Sequence, residues 1–178
     1  QLSLDLVEKG FVTDQLVLTI GYDRENLNDT EKIRSYTGKI KIDHYGRAVP
    51  QHAQGTISFG KPTSSSKKII DAAIGLFEDI TDEKLLIRRI NIVANHVIAE
   101  EDTLNGHTCE QLDLFTDYSE KKKLEEREAA DREKEKKLQQ AVLSIKHKFG
   151  KNAILKGVSL EEGATAKDRN NQIGGHKA

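Results

Sequence analysis

Four segments in the first hundred residues alternate apolar and polar side chains, and this alternation constrains the fold more than any other feature. The segments span residues 15–22, 38–44, 55–60 and 86–97. Because successive side chains of a strand point to opposite faces, each segment predicts a strand that is apolar on one side only. The apolar side chains predicted to face the core are Leu16, Leu18, Ile20, Ile40, Ile42, Ile57, Phe59, Ile90 and Ile92. Such a sheet needs a cover on one face and leaves the other face open.

Two predicted helices supply that cover. Residues 2–9 predict the end of a helix that Gly10 closes as a C-terminal cap, and residues 61–80 place an apolar stripe at helical spacing. Candidate N-caps for the second helix lie at 63–66. The sequence therefore predicts an α+β fold: a four-stranded, mainly antiparallel sheet with two helices on one face, followed by a helical, partly disordered tail.

Apolar residues concentrate in the first hundred positions, whereas Lys, Glu, Asp and Arg dominate the rest. The chain has 36% hydrophobic and 32% charged residues, against about 45–50% and about 25% in ordinary domains, so part of it is not expected to pack. We predict a folded domain at 1–99, a linker at 100–116, a charged helix at 117–149 and a flexible tail at 150–178. The missing initiator Met and the helix end at the start indicate a piece of a longer chain.

Cysteine usage, apolar run length and net charge limit the functional classes. A single cysteine, Cys109, cannot form an intrachain disulfide, and no apolar run approaches the roughly 18 residues that cross a bilayer. A cytoplasmic protein without a membrane partner is therefore expected. The net charge of −1 provides no overall attraction to nucleic acid, so any DNA binding depends on how charge is distributed locally.

The predicted open face is rich in groups that suit phosphate and sugar. Its occupants are Thr19, Lys39, Lys41, Thr56, Ser58, Arg89 and Asn91. Such donors hold the nucleic-acid backbone rather than read bases. The start of the second helix adds Lys61, Ser64, Ser65 and Lys67, where backbone N–H groups could hold a phosphate. Two alternatives stay open: a plain solvated sheet face, and serines that only cap the helix.

A short apolar segment lies between polar stretches after the predicted domain. It consists of Gln111, Leu112, Asp113, Leu114 and Phe115. The segment resembles the bacterial sliding-clamp binding pentapeptide: Gln, an apolar or small residue, a variable residue, Leu and Phe. In those peptides a polar subsite holds the glutamine amide, and the Leu and Phe side chains fill a hydrophobic pocket. The alternative is a short segment that packs back on the sheet domain.

Several stretches together resemble the little-finger domain and C-terminal tail of Y-family translesion DNA polymerases, in particular the UmuC-like branch of Gram-positive bacteria. The stretches are 15–22 (QLVLTIGY), 45–61 (YGRAVPQHAQGTISFGK), 86–92 (LIRRINI) and 169–178 (RNNQIGGHKA). The resemblance covers most of the chain. In such domains an Arg–Arg pair of the last strand contacts the DNA backbone, which corresponds here to Arg88 and Arg89. The alternation favours Arg89 as the outward member of the pair.

The resemblance implies a role in DNA repair and damage tolerance, including the SOS response. The implied partners are a primer–template duplex, the sliding clamp and the N-terminal catalytic domains of a parent DNA polymerase. Those domains carry the carboxylates that hold magnesium for nucleotide transfer. We therefore expect no catalytic residues, metal or cofactor in this chain. His96, His107 and Cys109 come nearest to a zinc cluster, but a zinc site needs four ligands in paired spacings.

The charged helix supports a second hypothesis. Opposite charges at spacings of three and four are typical of a solvated helix, and only its last third carries an apolar stripe. That stripe is Leu138, Val142, Ile145 and Phe149. A coiled coil needs apolar positions sustained over three or four heptads, which residues 119–137 do not provide. The alternative function is a helix-mediated protein interaction module unrelated to polymerases.

Overall fold

Helices and antiparallel strands alternate along the first hundred residues. The computed structural model describes residues 1–28, 36, 38–104, 118–173 and 176–177. The elements are helix α1 (Leu2–Glu8), strand β1 (Phe11–Tyr22), a 3-10 turn (Arg24–Leu27), strands β2 (Ile40–Ile42), β3 (Ala48–Pro50) and β4 (Ala53–Thr63), helix α2 (Ser66–Ile80), strands β5 (Ile87–Asn95) and β6 (Ile98–Ala99), and helix α3 (Glu100–Leu104). They belong to the first of two compact units, Gln1–Cys109 and Glu110–Ala178.

The main sheet is built on β1, which lies between β4 and β5 and pairs antiparallel with both. Strand β6 pairs with the first residues of β1 and completes the four strands. The α+β class predicted from the sequence is confirmed. Leu18 lies between Gly55 and Ile92, whereas Val17 lies between Thr56 and Val93. Because directly paired residues share a face, this register separates one apolar face from one mostly polar face.

Helices α1 and α2 pack on the apolar face over β1 and β4. Leu16, Leu18 and Ile20 of β1 are at most 1% exposed, and each contributes about 1.5–3 kcal/mol by its burial. Gly55 of β4 lets α2 approach closely, because a Cβ at this position would lie 2.9 Å from Leu76 Cδ2 and 3.0 Å from an Ile80 methyl carbon. The core thus forms on one side of the sheet only.

The predicted strand at 38–44 does not join the main sheet, which corrects the expected strand membership. Its residues form β2, which pairs with β3 in a separate two-stranded hairpin. Ile40 and Ile42, predicted to face the core, are 54% and 68% exposed. The helices cover β1 and β4, so the isoleucines of this hairpin remain in solvent. Alternation identified the strand but could not identify its partner.

Strand β5 has the predicted orientation but not the predicted burial. The register places Ile90 opposite Ile20 and Ile92 opposite Leu18, on the side of the helices. Nevertheless Ile90 is 49% exposed and Ile92 43% exposed. Strand β5 lies at the edge of the sheet, and the helices pack over its other two long strands. These two residues therefore flank the core rather than fill it.

The second unit consists of a long helix and a short C-terminal region. Its elements are helix α4 (Tyr118–Phe149), a 3-10 turn (Gly157–Leu160), helix α5 (Ala166–Asn170), and strands β7 (Gln172–Ile173) and β8 (His176–Lys177), which pair. The segment predicted as a flexible tail thus contains short elements. Asn152 Nδ2 donates to Asn171 Oδ1 at 2.9 Å, and Asn170 Nδ2 donates to Asn152 Oδ1 at 2.8 Å. These amide contacts, which composition does not reveal, fold residue 152 back toward α5.

Candidate nucleic-acid interface

The sheet face opposite the helices carries mainly hydroxyl and amide side chains. From β4 across β1 to β5, its rows are Ser58, Gln15 and Asn95, then Thr56, Val17 and Val93, then Gln54, Thr19 and Asn91. These rows contain no carboxylate. The predicted Thr56 and Ser58 are exposed on this face, as the alternation requires. We refer to the three rows together with Arg89 as the open face.

Local hydrogen bonds fix several of these groups. Ser58 Oγ donates to the carbonyl oxygen of Asp14 at 3.2 Å and accepts from the N–H of Gly60 at 3.4 Å. Asn95 Nδ2 donates to Gln15 Oε1 at 3.0 Å across the strand pair. The open face is therefore an ordered polar surface with cross-strand contacts.

The arginine pair lies at the end of β5 that adjoins the end of β1. Arg89 pairs with Gly21 and is exposed on the open face. Arg88 occupies an irregularity in the register, between the pairs that Gly21 and Tyr22 make with β5. Its Nη1 lies 3.9 Å from Asp23 Oδ2. Arg88 is thus partly balanced by a carboxylate.

The β2–β3 hairpin and the arginine pair line an open cleft of about 540 Å³. Four cationic side chains line it: Lys41, Arg47, Arg88 and Arg89. The structure therefore places Lys41, predicted from the sequence, around the same cleft as both predicted arginines. Lys39 is exposed where the chain enters the hairpin, and its carbonyl oxygen accepts from the N–H of Gln51 at 2.8 Å.

The tip of the hairpin is organised by Asp43. Its Oδ1 accepts from the N–H groups of Tyr45 and Arg47, both at 2.9 Å, and its Oδ2 accepts from Arg47 Nε and Nη2 at 2.9 and 2.7 Å. The hydrogen bonds from the Arg47 side chain, followed by that from its backbone, lower the pKa of Asp43 to about 2. Gly46 closes the turn at a φ of +75°, where a residue without Cβ is favoured. Arg47 was not predicted from the sequence, although Asp43 and Gly46, at the first and fourth positions of a four-residue turn, are a recognisable signal for the turn itself.

Replacing Arg47 with alanine should raise the pKa of Asp43 from about 2 toward its ordinary value of 3.8. The shift should be partial, because the backbone donors of the turn remain. Since the folded-state pKa is depressed, the stabilisation from Asp43 is present above pH 3.8 and is lost as pH falls through about 2. An NMR titration of the Asp43 carboxyl carbon measures this pKa. Arg88→Ala is the control and should leave it unchanged; an unaltered value in Arg47→Ala would contradict the assignment.

The serine-rich start of α2 proves to be a helix cap, which removes Ser65 from the predicted DNA-binding set. Ser65 is 7% exposed, and its Oγ accepts from the N–H of Lys68 at 3.3 Å. Ser66 Oγ lies 2.8 Å from Ser3 Oγ, so this helix start packs against α1. The N-cap alternative is therefore correct for Ser65, because a buried hydroxyl that already accepts from the helix cannot face a ligand.

The remaining predicted residues of this region, Lys61, Ser64 and Lys67, lie far from the arginine pair. Thr63 pairs with Thr13 near the start of β1, whereas Arg89 pairs with Gly21 near its end. At about 3.4 Å per residue, these positions are roughly 27 Å apart along the strand. The structure therefore does not join the two predicted patches. The cationic cleft forms at one end of β1 only.

The predicted clamp-binding segment, Gln111, Leu112, Asp113, Leu114 and Phe115, lies outside the described residues, as do His107 and Cys109. Within the described part of the chain, no group of three or more His, Cys, Asp or Glu side chains could hold a metal ion. None of the described helices is long and apolar enough to cross a membrane.

Comparisons with known proteins provide no relative. No family model matches the chain, and no significant match was found among curated proteins or solved structures. Function must therefore be inferred from the residues of the chain itself. The feature with the clearest chemistry is the open face with its adjoining cationic cleft.

Proposed function

We propose that the first unit binds the sugar–phosphate backbone of DNA. One observation carries this proposal: a sheet face of mainly hydroxyl and amide groups without carboxylates, which ends at Arg89 and a cleft with three further cations, of which Arg47 is paired with Asp43. Hydroxyl, amide and guanidinium groups are common donors to phosphate oxygens and carry little sequence information. Binding should therefore be insensitive to sequence.

The dimensions of the open face suit an extended backbone. Its length along β1, from Gln15 to the position of Gly21 opposite Arg89, is roughly 20 Å, and phosphates of one strand of a duplex follow one another about every 3.4 Å along the helix axis. A strand that lies along this face could therefore present several phosphates to it. The guanidinium of Arg89 is the strongest donor of the face, since hydrogen bonds with charged partners are about twice as strong as neutral ones.

We further infer that this DNA-binding unit is the little-finger-like region of a Y-family translesion polymerase. The motifs at 15–22, 45–61 and 86–92 support this, together with a sheet that carries both helices on one side. The partners are then a primer–template duplex, a sliding clamp bound by 111–115, and upstream catalytic domains. We assign magnesium-dependent nucleotide transfer to those domains, and binding alone to this chain. The setting is DNA repair in the cytoplasm.

The proposal is tested by the salt dependence of DNA binding. Fluorescence anisotropy of a labelled primer–template duplex should show binding by the full chain, with log K falling linearly as log salt concentration rises. At physiological salt the dissociation constant should lie at roughly 10⁻⁴ to 10⁻⁶ M for any duplex sequence. Absence of binding at low salt, or an affinity that salt does not change, would reject the proposal.

A second candidate function rests on helix α4. Leu138, Ile145 and Phe149 are 65%, 38% and 67% exposed, at spacings of seven and four residues that place them on one side of the helix. An apolar stripe of this kind fits a groove or a second helix of a partner. On this alternative, α4 is the functional element and the open face has no ligand.

A further inference from the structure

The tip of the β2–β3 hairpin presents an aromatic ring in an unusual setting. Tyr45 is 77% exposed, and the guanidinium carbon of Arg47 lies 4.7 Å from the centre of its ring. The ring of His44 contacts it edge-on at a centroid distance of 5.4 Å. A single exposed aromatic is ordinary on a protein surface. Here, however, a cation lies over one side of the ring, and the residue also lines the cationic cleft.

The turn that carries the ring is fixed before any ligand arrives. Asp43 fixes the turn through hydrogen bonds to the backbone of Tyr45 and to both backbone and side chain of Arg47. Strand β3 of the hairpin contacts both the 3-10 turn Arg24–Leu27 and strand β1. Less conformational freedom is therefore lost when a ligand stacks on this ring than when it stacks on a mobile side chain.

The charges around the ring suit a nucleic-acid strand. Tyr45 lines the same cleft as Lys41, Arg88 and Arg89. Aromatic rings interleaved with basic residues are the usual means of binding single strands, because bases stack on the rings while cations follow the phosphates. Arg47 covers one side of the ring, and the exposure of Tyr45 leaves ring surface for a base. The guanidinium also adds a cation–π contribution to the stack.

We infer that the hairpin tip is a stacking platform for an unpaired base of single-stranded DNA that adjoins the bound duplex. This inference rests on the proposed function. Bases inside a duplex already stack on neighbours on both faces, whereas an unpaired base offers a free face to Tyr45. A template strand that extends beyond the primer end supplies such bases.

The test compares two probes with the full chain: a blunt duplex, and the same duplex with a single-stranded DNA extension of several nucleotides. The extension should tighten binding about 5- to 150-fold, the range for one stacked base. In Tyr45→Ala the ratio of the two affinities should fall toward one, because the ring that holds the base is lost while the contacts of cations with phosphates remain. In Tyr45→Phe, which keeps the ring, the ratio should be preserved.

Phe149→Ala is the matched control, because Phe149 is also an exposed aromatic, with Lys148 Nζ 5.2 Å from its ring centre. It should leave the affinity ratio unchanged.

If blunt duplex binds but Tyr45→Ala keeps the full ratio, the platform is rejected while the proposed function stands. If Phe149→Ala lowers the ratio as much as Tyr45→Ala does, the assignment to the hairpin is also rejected. If neither probe binds, the proposed function itself fails. Thermal unfolding followed by circular dichroism confirms that the variants fold.

Discussion

Replacing Arg89 with glutamate should weaken duplex binding by the full chain about 10- to 150-fold at fixed salt, which corresponds to losing one charge-assisted hydrogen bond. Arg89 is exposed on the open face, and its partner on β1 is Gly21, which has no side chain to cover it. Its guanidinium is therefore accessible to a phosphate, and a carboxylate in its place adds repulsion. Fluorescence anisotropy with the labelled duplex measures the change.

The salt dependence distinguishes a lost contact from a general loss of affinity. If Arg89 contacts one phosphate, its removal should reduce the slope of log K against log salt by about one. A variant with lower affinity but an unchanged slope would indicate that the residue acts through folding. A variant with unchanged affinity would place the DNA elsewhere and contradict the assignment of the open face.

Lys68→Glu is the matched control, because it alters net charge by the same amount on the other side of the sheet. Lys68 lies in the first turn of α2, the helix that packs on the apolar face. Glutamate is also favourable near a helix N-terminus, so the fold should tolerate it. Equal losses in Arg89→Glu and Lys68→Glu would mean that only overall charge matters. A larger loss in Lys68→Glu would restore the predicted serine-rich patch as the binding site.

The orientation of residues within the main sheet could be predicted from the sequence, because the period of two is a property of the strand itself. Alternation correctly separates Thr56 from Ile57 and Arg89 from Ile90. It could not predict which strands pair, since pairing depends on contacts between distant residues. Ile40 was therefore predicted to face the core, whereas it lies exposed in the separate β2–β3 hairpin.

The candidate site likewise contains some features that could be predicted from the sequence and others that only the structure shows. Arg89 could be predicted, because the face of the sheet on which it lies follows from the alternation. The cleft could not be predicted, because it joins Lys41 of the hairpin to residues nearly fifty positions later in the chain. Ser65 illustrates the opposite case: one sequence signal fits both a helix cap and a phosphate site, and only burial decides between them.

Changing both Leu114 and Phe115 to alanine should abolish retention of the chain on an immobilised bacterial sliding clamp. Each side chain would contribute roughly 1.5–3 kcal/mol by burial in the pocket of the clamp, before the entropy lost on ordering the segment. A micromolar complex is held by only about 8 kcal/mol, so losing both anchors should take it below detection. Surface plasmon resonance with the full chain measures the retention.

Two controls make this experiment specific. Leu112→Ala changes the second position of the pentapeptide, which accepts small residues in the resembling family, so binding should persist. Leu138→Ala with Phe149→Ala removes the same two side-chain types from α4, where both are more than 60% exposed. Clamp retention should be unaffected by that pair. Full retention after the loss of Leu114 and Phe115 would contradict clamp tethering.

The α4 double variant also separates the two candidate functions. If the chain is a helix-mediated interaction module, changes at 138 and 149 should disrupt its complexes, whereas changes at 114 and 115 should not. If it is a tethered DNA-binding region, the reverse holds and Arg89→Glu still weakens duplex binding. The two functions use different surfaces. A helix-mediated module docks through the apolar stripe of α4, whereas clamp tethering uses residues 114 and 115. Four substitutions, paired by residue type, therefore suffice to decide which surface binds.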